Sequence, residues 1–175
     1  MTRLGENSAM QLKRVVVTGI GALTPIGNNT QAYWKGLLDG VPGADAITLF
    51  DAAKFKTRFA CELKGFDPLQ YLDKKEARKV DRYTQIAVAA SDEAVRDAAI
   101  DKEKMNPDRI GVVFASGIGG LISFQDEVIS FAKGDGTPRF NPFFIPKMIL
   151  DIAAGHISMR HGFRGPNFEI GRAHV

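Results

Sequence analysis

The chain has 175 residues, of which 45% are hydrophobic and 25% are charged, a composition that is typical of a globular protein and excludes intrinsic disorder. The formal net charge of +3 comes without a basic stripe interleaved with aromatic residues, so it gives no support to nucleic-acid binding. The single cysteine, Cys61, cannot form an internal disulfide, which agrees with a cytoplasmic location. We expect neither secretion nor a membrane span, because no run of about 18 apolar residues occurs.

The beginning of the chain predicts a strand, a loop and a helix. Residues 12–18 end in a β-branched run, which is typical of a strand buried on both faces. A glycine-rich loop follows at residues 19–27. Asn29 or Thr30 can then cap a helix that continues to Asp39 and is stopped by Gly40. Residues 1–11 are expected to be a leader; the true start is either Met1 or Met10, and in the second case the residues before Met10 are not native.

The middle of the chain predicts further helix. A short strand is expected at residues 58–63, and helix begins again at Asp67 and Pro68. A basic segment occupies residues 74–79. Across residues 81–100 apolar side chains, many of them alanine, recur at steps of three and four residues. This spacing predicts a long buried helix that packs closely against its neighbours.

The rest of the chain repeats the order of strand, glycine loop and helix. An apolar strand is expected at residues 110–115 and a helix at 121–133. A loop rich in glycine and proline leads to a last helix at 146–161, which Gly162 ends. The alternation predicts an α/β protein with a parallel or mixed sheet.

The two glycine loops do not have the spacing of a nucleotide-binding loop. Gly19 and Gly21 would need a third glycine at position 24, where the chain has Thr24. The loop at residues 116–120 also lacks that spacing, and no phosphate-binding GxxxxGK sequence occurs. We therefore expect no nucleotide, and likewise neither a metal nor an organic cofactor.

The same loops belong to a series of short motifs. In chain order these are VVVTGIG at 15–21, PIG at 25–27, KEARKVD at 75–81, SGIGG at 116–120, PFFIP at 142–146, AGH at 154–156 and GFRGP at 162–166. Each string is short, but their order and spacing run through nearly the whole chain. Together they closely resemble the β-ketoacyl-acyl carrier protein synthases, in particular the elongating type II enzymes, and the resemblance covers residues 12–168. The resemblance implies a thiolase-like fold, of which this chain carries an incomplete N-terminal half, and a homodimer.

The resemblance also implies an acyltransferase that performs a decarboxylating Claisen condensation. In the family a cysteine thiolate accepts an acyl chain from acyl carrier protein, and two histidines assist malonyl decarboxylation and the attack on the acyl thioester. The cysteine follows the GxRGP motif and should fall near position 174. This chain has His174 there. We therefore expect the nucleophile and both catalytic histidines to lie beyond the native sequence.

The segment 169–175, EIGRAHV, matches the translation of a common sequencing adapter. An alanine codon begins with G. If such a codon is interrupted after its first base and joined to the AG of the adapter, the result is GAG, which encodes Glu169. We expect this tail to be non-native, residues 12–168 to be a partial N-terminal β-ketoacyl synthase domain, and the chain as given to be inactive.

The remaining candidate nucleophile and bases have simpler explanations. Cys61 lies in an expected short strand without a catalytic motif and is interpreted as a small buried hydrophobic residue. His156 and His161 lie on the last predicted helix, and the sequence after His156 differs from that following a catalytic histidine of the family. A hydrogen-bonded packing role is expected for both.

Two groups of residues match substrate-contacting positions of the family. Ile118 corresponds to a residue that lines the acyl pocket, and Phe144 to an aromatic residue contributed across the dimer; the alternative for both is core packing. Lys75, Arg78, Lys79 and Arg139 match basic positions where the family docks its acidic carrier protein. The alternative for these cations is a solvated helix face.

The resulting hypothesis is an elongating β-ketoacyl-acyl carrier protein synthase of fatty acid biosynthesis, represented by an N-terminal fragment. One alternative is a polyketide ketosynthase or its chain-length subunit. Another is a short non-catalytic protein that binds acyl carrier protein and whose tail is natural.

Overall fold

The computed structural model describes residues 13–170, within which the chain forms six α-helices and four short strands. In chain order the elements are α1 (Thr30–Leu38), β1 (Asp45–Ala46), β2 (Phe59–Ala60), α2 (Lys74–Ala77), α3 (Arg82–Asp97), β3 (Val112–Phe114), α4 (Leu121–Lys133), α5 (Phe144–Met148), α6 (Ile152–His161) and β4 (Asn167–Glu169). The α/β class predicted from the sequence is confirmed. The expected leader and most of the expected adapter-derived tail lie outside the described residues.

The core lies where α3 packs against α6, beside β3. Ala87 and Val88 of α3 are each 2% exposed, and Ala153 and Ala154 of α6 are completely buried. Ile157 closes the same cluster from α6. Small side chains at these positions allow the two helices to approach closely. The long helix predicted at residues 81–100 is confirmed over Arg82–Asp97, and its burial is partial, with Thr84, Ala87, Val88 and Ala89 as its buried residues.

An ion pair holds α3 and α6 in register. The guanidinium group of Arg160 donates two hydrogen bonds of 2.7 Å to the carboxylate of Asp92. It donates a third, also of 2.7 Å, to the carbonyl oxygen of Tyr71, just before α2. A bidentate pair of this kind fixes orientation as well as distance. Arg160 therefore ties together α6, α3 and the segment that leads into α2.

Asp81 joins the N-termini of α3 and α4. Its Oδ1 atom accepts a hydrogen bond of 3.2 Å from the backbone N–H of Tyr83 and so caps α3. Its Oδ2 atom accepts hydrogen bonds from the N–H of Ser123, at 3.1 Å, and from the Ser123 hydroxyl, at 2.6 Å. Because Asp81 is only 6% exposed, these partners compensate the loss of hydration of its carboxylate.

The first glycine loop lies directly on α3. A Cβ atom on Gly21 would come within 2.0 Å of the Ala90 carbonyl oxygen, and one on Gly19 within 2.4 Å of the Ala94 carbonyl oxygen. The Glu93 carboxylate accepts hydrogen bonds from the N–H groups of Ala22, at 2.9 Å, and Thr30, at 2.8 Å. The glycines therefore serve close packing of backbone on helix.

The strands form two separate pairs. β1 and β2 are antiparallel, with β2 inside the strand expected at residues 58–63, while β3 and β4 are parallel. The strand predicted at residues 12–18 is wrong for its described part: residues 13–18 form no strand, and the Val15 side chain is 90% exposed. The β-branched run suits a strand, but no described segment supplies its ladder of hydrogen bonds.

The single helix predicted at residues 146–161 is also wrong, because α5 and α6 are separate helices. Ile149 has an extended conformation, with φ −70° and ψ 142°. Its carbonyl oxygen accepts a hydrogen bond from the Tyr83 hydroxyl, and the Met148 carbonyl oxygen accepts one of 3.2 Å from the N–H of Gly120. Because these tertiary hydrogen bonds engage two carbonyl groups that would otherwise accept hydrogen bonds within a continuous helix, α5 ends here.

Other element boundaries follow the sequence signals closely. Asn29 caps α1 by accepting a hydrogen bond of 2.8 Å from the N–H of Ala32, and Asp39 is the C-cap. Helix α4 has the bounds predicted for residues 121–133. Gly162 ends α6 in the left-handed region, at φ 72°, as expected.

Burial lowers the pKa of His161 below its ordinary value, although the Asp92 carboxylate acts in the opposite direction. The folded protein therefore disfavours the protonated ring, so the free energy of unfolding should decrease as the pH falls below about 6.5 towards the lowered pKa. We expect an NMR titration of the His161 imidazole in a soluble protein that contains this chain to have a midpoint below about 6.5. His161→Phe identifies the resonance. A midpoint at or above that value would mean that Asp92 outweighs burial.

Many large apolar side chains face solvent, among them Val15, Trp34 at 61%, Leu38 at 70% and Val113 at 62% exposed. Exposed apolar surface on this scale favours association. We expect expression of the chain of 175 residues by itself to give insoluble or molten material that binds a hydrophobic dye. A soluble monomer with a sharp cooperative melting transition would contradict this expectation.

Candidate functional site

An open groove of about 1200 Å³ lies between α2, α4 and the loop that follows α4. We call it the basic groove, and the residues that line it are Lys74, Lys75, Arg78, Lys79, Asp126, Glu127, Ser130, Arg139, Phe140, Asn141, Pro142 and Phe143. The groove contains Lys75, Arg78, Lys79 and Arg139, the four cations singled out from the sequence. Arg139 is sixty residues beyond Lys79 in the chain, so the fold is what brings it to the other three.

The short helix α2 positions three of these cations. The Asp73 carboxylate caps α2 by accepting hydrogen bonds from the N–H groups of Lys75, at 2.7 Å, and Glu76, at 2.8 Å. The end of the helix is attached to α3, since the Gln85 amide donates a hydrogen bond of 2.9 Å to the Ala77 carbonyl oxygen. The basic segment is therefore fixed relative to the core.

The cations of α2 are largely available to a partner. Among the described residues Lys75, Arg78 and Lys79 form no ion pair with a carboxylate. The Lys79 ammonium lies 5.5 Å from the centre of the Phe143 ring, within the range of a cation–π contact. Arg139 differs, because its guanidinium lies 3.6 Å from the Asp135 carboxylate. Both groups of that pair are well exposed, so it contributes little stability.

Aromatic side chains fold the loop after α4 back onto the helix. The ring of Phe140 lies 5.5 Å from that of Phe131 in α4 and 5.8 Å from that of Phe144. The Glu127 carboxylate accepts a hydrogen bond of 3.2 Å from the N–H of Asn141. Sequence reasoning did not identify Phe140 or Glu127 as part of the site. The spacing of aromatic residues in 124–144 is a signal, but it does not reveal that the loop turns back.

The two residues predicted for an acyl pocket occupy different surroundings. Ile118 lies in the glycine loop before α4 and is 66% exposed, so the described residues do not enclose it. Phe144 is half-buried, with its ring 6.1 Å from that of Phe124. The loop that carries Ile118 packs on α5, where a Cβ atom on Gly120 would come within 2.0 Å of the Lys147 carbonyl oxygen. Ile118 and Phe144 thus lie on two segments that pack against each other.

The two described histidines lie on α6. His156 is half-buried and lines a smaller cavity of about 300 Å³ with Glu76 and Lys79, and burial lowers its pKa. His161 stacks on Phe163, with ring centres 5.3 Å apart. Its Nε2 atom is 3.3 Å from an Asp92 oxygen but is not aligned to form a hydrogen bond. Packing is therefore observed for His161, without the expected hydrogen bond at this atom.

The prediction that Cys61 is buried is wrong, because the residue is exposed. It follows directly after β2, in a segment that contributes no residue to the hydrophobic core cluster. Among residues 13–170 no group of three or more metal-binding side chains is found. Within the same range no helix has both the length and the apolar character required to cross a membrane.

Comparison with known proteins identifies the family. The family model described as "Beta-ketoacyl synthase, N-terminal domain" matches residues 12–173. The chain is 46% identical over 158 residues to the 3-oxoacyl-[acyl-carrier-protein] synthase 2 of Synechocystis, an alignment that covers 90% of this chain and 38% of that protein. It is 43% identical over 164 residues to the protein of the same name from Vibrio cholerae, covering 94% of this chain and 39% of that protein.

Solved structures agree with this assignment. A structure titled "The ishigamide ketosynthase/chain length factor" matches 89% of this chain and 39% of its own, with a TM-score of 0.78 and 24% identity, and so supports the fold. A complex named "AntDE:AntF (apo): type II PKS acyl-carrier protein in complex with its ketosynthase bound to the hexaketide" matches 90% of this chain and 42% of its own, with a TM-score of 0.70 and 26% identity.

These matches confirm the thiolase-like fold, and they show that the chain corresponds to only part of each relative. The chain spans about 38% of the length of the curated relatives it matches, and the matching model is that of the N-terminal domain. The chain belongs to the β-ketoacyl synthase family, and its residues 12–173 match the N-terminal domain of that family.

Proposed function

We propose that the protein to which this chain belongs is an elongating β-ketoacyl-acyl carrier protein synthase of fatty acid biosynthesis. The observation that carries the proposal is the 43–47% identity to proteins named 3-oxoacyl-[acyl-carrier-protein] synthase 2 along nearly the whole chain. In this reaction an acyl group is first held as a thioester on a cysteine. Loss of CO2 from malonyl carrier protein leaves a carbanion equivalent that attacks the thioester, forms the new C–C bond and releases the cysteine thiolate.

Within this reaction we assign binding roles to the described residues. Lys75, Arg78, Lys79 and Arg139 would dock the carrier protein in the basic groove. For a partner with acidic groups, these charges raise the rate of association and favour one orientation of the bound partner. Ile118 and Phe144 would line the path of the acyl chain, whose growth requires a dry apolar surface.

The catalytic cysteine and histidines are proposed to come from outside residues 13–170. Cys61 is exposed and directly follows a strand of two residues, and the Nε2 atom of His161 has no hydrogen-bond partner among the described residues. The complete protein is proposed to be a cytoplasmic homodimer. Resequencing the gene beyond the codon for Phe168 tests this directly: an Ala-Cys-x-Ser segment is expected, and the same tail followed by a stop codon would support a short binding protein.

A polyketide ketosynthase or chain-length subunit is the second candidate. The specific observation in its favour is the structural match to such proteins, at TM-scores of 0.78 and 0.70. The sequence identity in those matches is 24% and 26%, well below that to the elongating synthases. The presence of a cysteine and two histidines in the remaining sequence would exclude a chain-length subunit.

Reversing two charges of the basic groove should weaken docking. In the completed protein we expect Arg78→Glu with Lys79→Glu to lower kcat/KM for carrier-linked substrates about tenfold at low salt, and less at high salt, because salt screens the attraction. Steady-state kinetics at two salt concentrations measure the effect. Lys54→Glu with Lys56→Glu is the matched control, since these exposed lysines carry the same charge but lie away from the groove. Unchanged rates at low salt would refute the docking role.

Added bulk at Ile118 should limit the length of the acyl chain. We expect Ile118→Phe to shorten the longest product of the completed protein while the rate with short acyl substrates stays within about twofold, because a larger side chain obstructs the end of a long chain first. Product analysis by mass spectrometry measures the distribution, with Ile118→Val as the conservative control. An unchanged distribution would place Ile118 outside the acyl path.

A further inference from the structure

The basic groove has walls of unequal charge. Its α2 side carries Lys74, Lys75, Arg78 and Lys79, whereas its α4 side carries Asp126 and Glu127. The loop after α4 contacts both walls. Its Phe143 lies against Lys79 on the α2 side, and its Phe140 lies against Phe131 of α4. A partner in the groove therefore meets positive charge along one side and negative charge along the other.

The two carboxylates of the α4 wall differ in what they already bind. Glu127 accepts a hydrogen bond of 3.2 Å from the N–H of Asn141 and is half-buried, so it serves the position of the loop. Asp126 is exposed and, among the described residues, its carboxylate has neither a hydrogen-bond partner nor an ion pair. Its charge is left to act on whatever occupies the groove.

We infer that Asp126 is a positioning residue that repels the acidic side of the docked partner and so sets one orientation across the groove. The inference rests on the proposed docking function and goes further, because it gives the partner surface a polarity. The acidic groups of the partner lie against α2, and a neutral surface lies against α4. Such a repulsive element improves the discrimination between two orientations while it lowers the total affinity.

The experiment compares affinity with productive turnover in the completed protein, using pantetheinylated acyl carrier protein as the probe. We expect Asp126→Lys to tighten the Kd about fivefold at low salt, since one repulsive charge becomes attractive. The ratio of carrier-linked to carrier-free turnover should fall at the same time, because partners that bind in the reversed orientation cannot deliver their thioester. NMR mapping on the carrier protein should show a broader contact surface than with the unmodified synthase.

Two variants keep the test decisive. Asp126→Asn removes the charge with little change of shape and should tighten binding less than Asp126→Lys does. Glu103→Lys makes the same change of charge at an exposed position outside the groove and should leave the Kd unchanged.

The outcomes separate the inference from the function on which it rests. Weaker binding by Asp126→Lys, or tighter binding with an unchanged turnover ratio, overturns the orienting role while the reversal of Arg78 and Lys79 still reports docking. If that reversal leaves the Kd unchanged, the proposed docking function fails, and the inference fails with it.

Discussion

The rest of the structure depends on the close crossing of α3 and α6. Alanines remove the bulk that would separate the helices, and Ala153 and Ala154 are completely buried as a result. The Arg160 guanidinium then fixes the crossing through its two hydrogen bonds to Asp92, and a third hydrogen bond connects it to the carbonyl oxygen of Tyr71. The segment that leads into α2 is thereby held, and with it one wall of the basic groove. A contact outside the groove thus helps to set the position of the charges that line it.

Elements with strong local signals could be predicted from the sequence. Asn29 and Gly162 mark the start of α1 and the end of α6 through their own side-chain and backbone chemistry, and α3 is evident from its repeating alanines. The failures have a common cause. The Val15 run lacks a described strand to pair with, and the helix near Ile149 is interrupted by the Tyr83 hydroxyl. Such partners are distant in the sequence, so no local pattern reveals them.

The same division applies to the candidate site. Lys75, Arg78 and Lys79 are close together in the sequence, and the resemblance of the surrounding motif to the synthases identified them. Their meeting with Arg139 in one groove is compatible with that assignment. The aromatic and acidic parts, above all Phe143 and Asp126, were not anticipated, because the groove that Phe143 of the loop and Asp126 of α4 line forms only when the loop folds back onto α4. The family match is to the N-terminal domain, and the chain spans about 38% of the length of its curated relatives.

The loop after α4 has two parts with different freedom to change. Residues 134–139 are all exposed, whereas Phe140, Asn141 and Phe144 are attached to α4 by contacts between aromatic rings and by the Glu127 hydrogen bond. Surface backbone without such attachments accepts insertions and deletions readily. Related chains should therefore differ in length before Arg139 and keep a constant length from Phe140 onwards. The position of the Arg139 charge should then vary among relatives, while Phe140 and Asn141 keep their place in the basic groove.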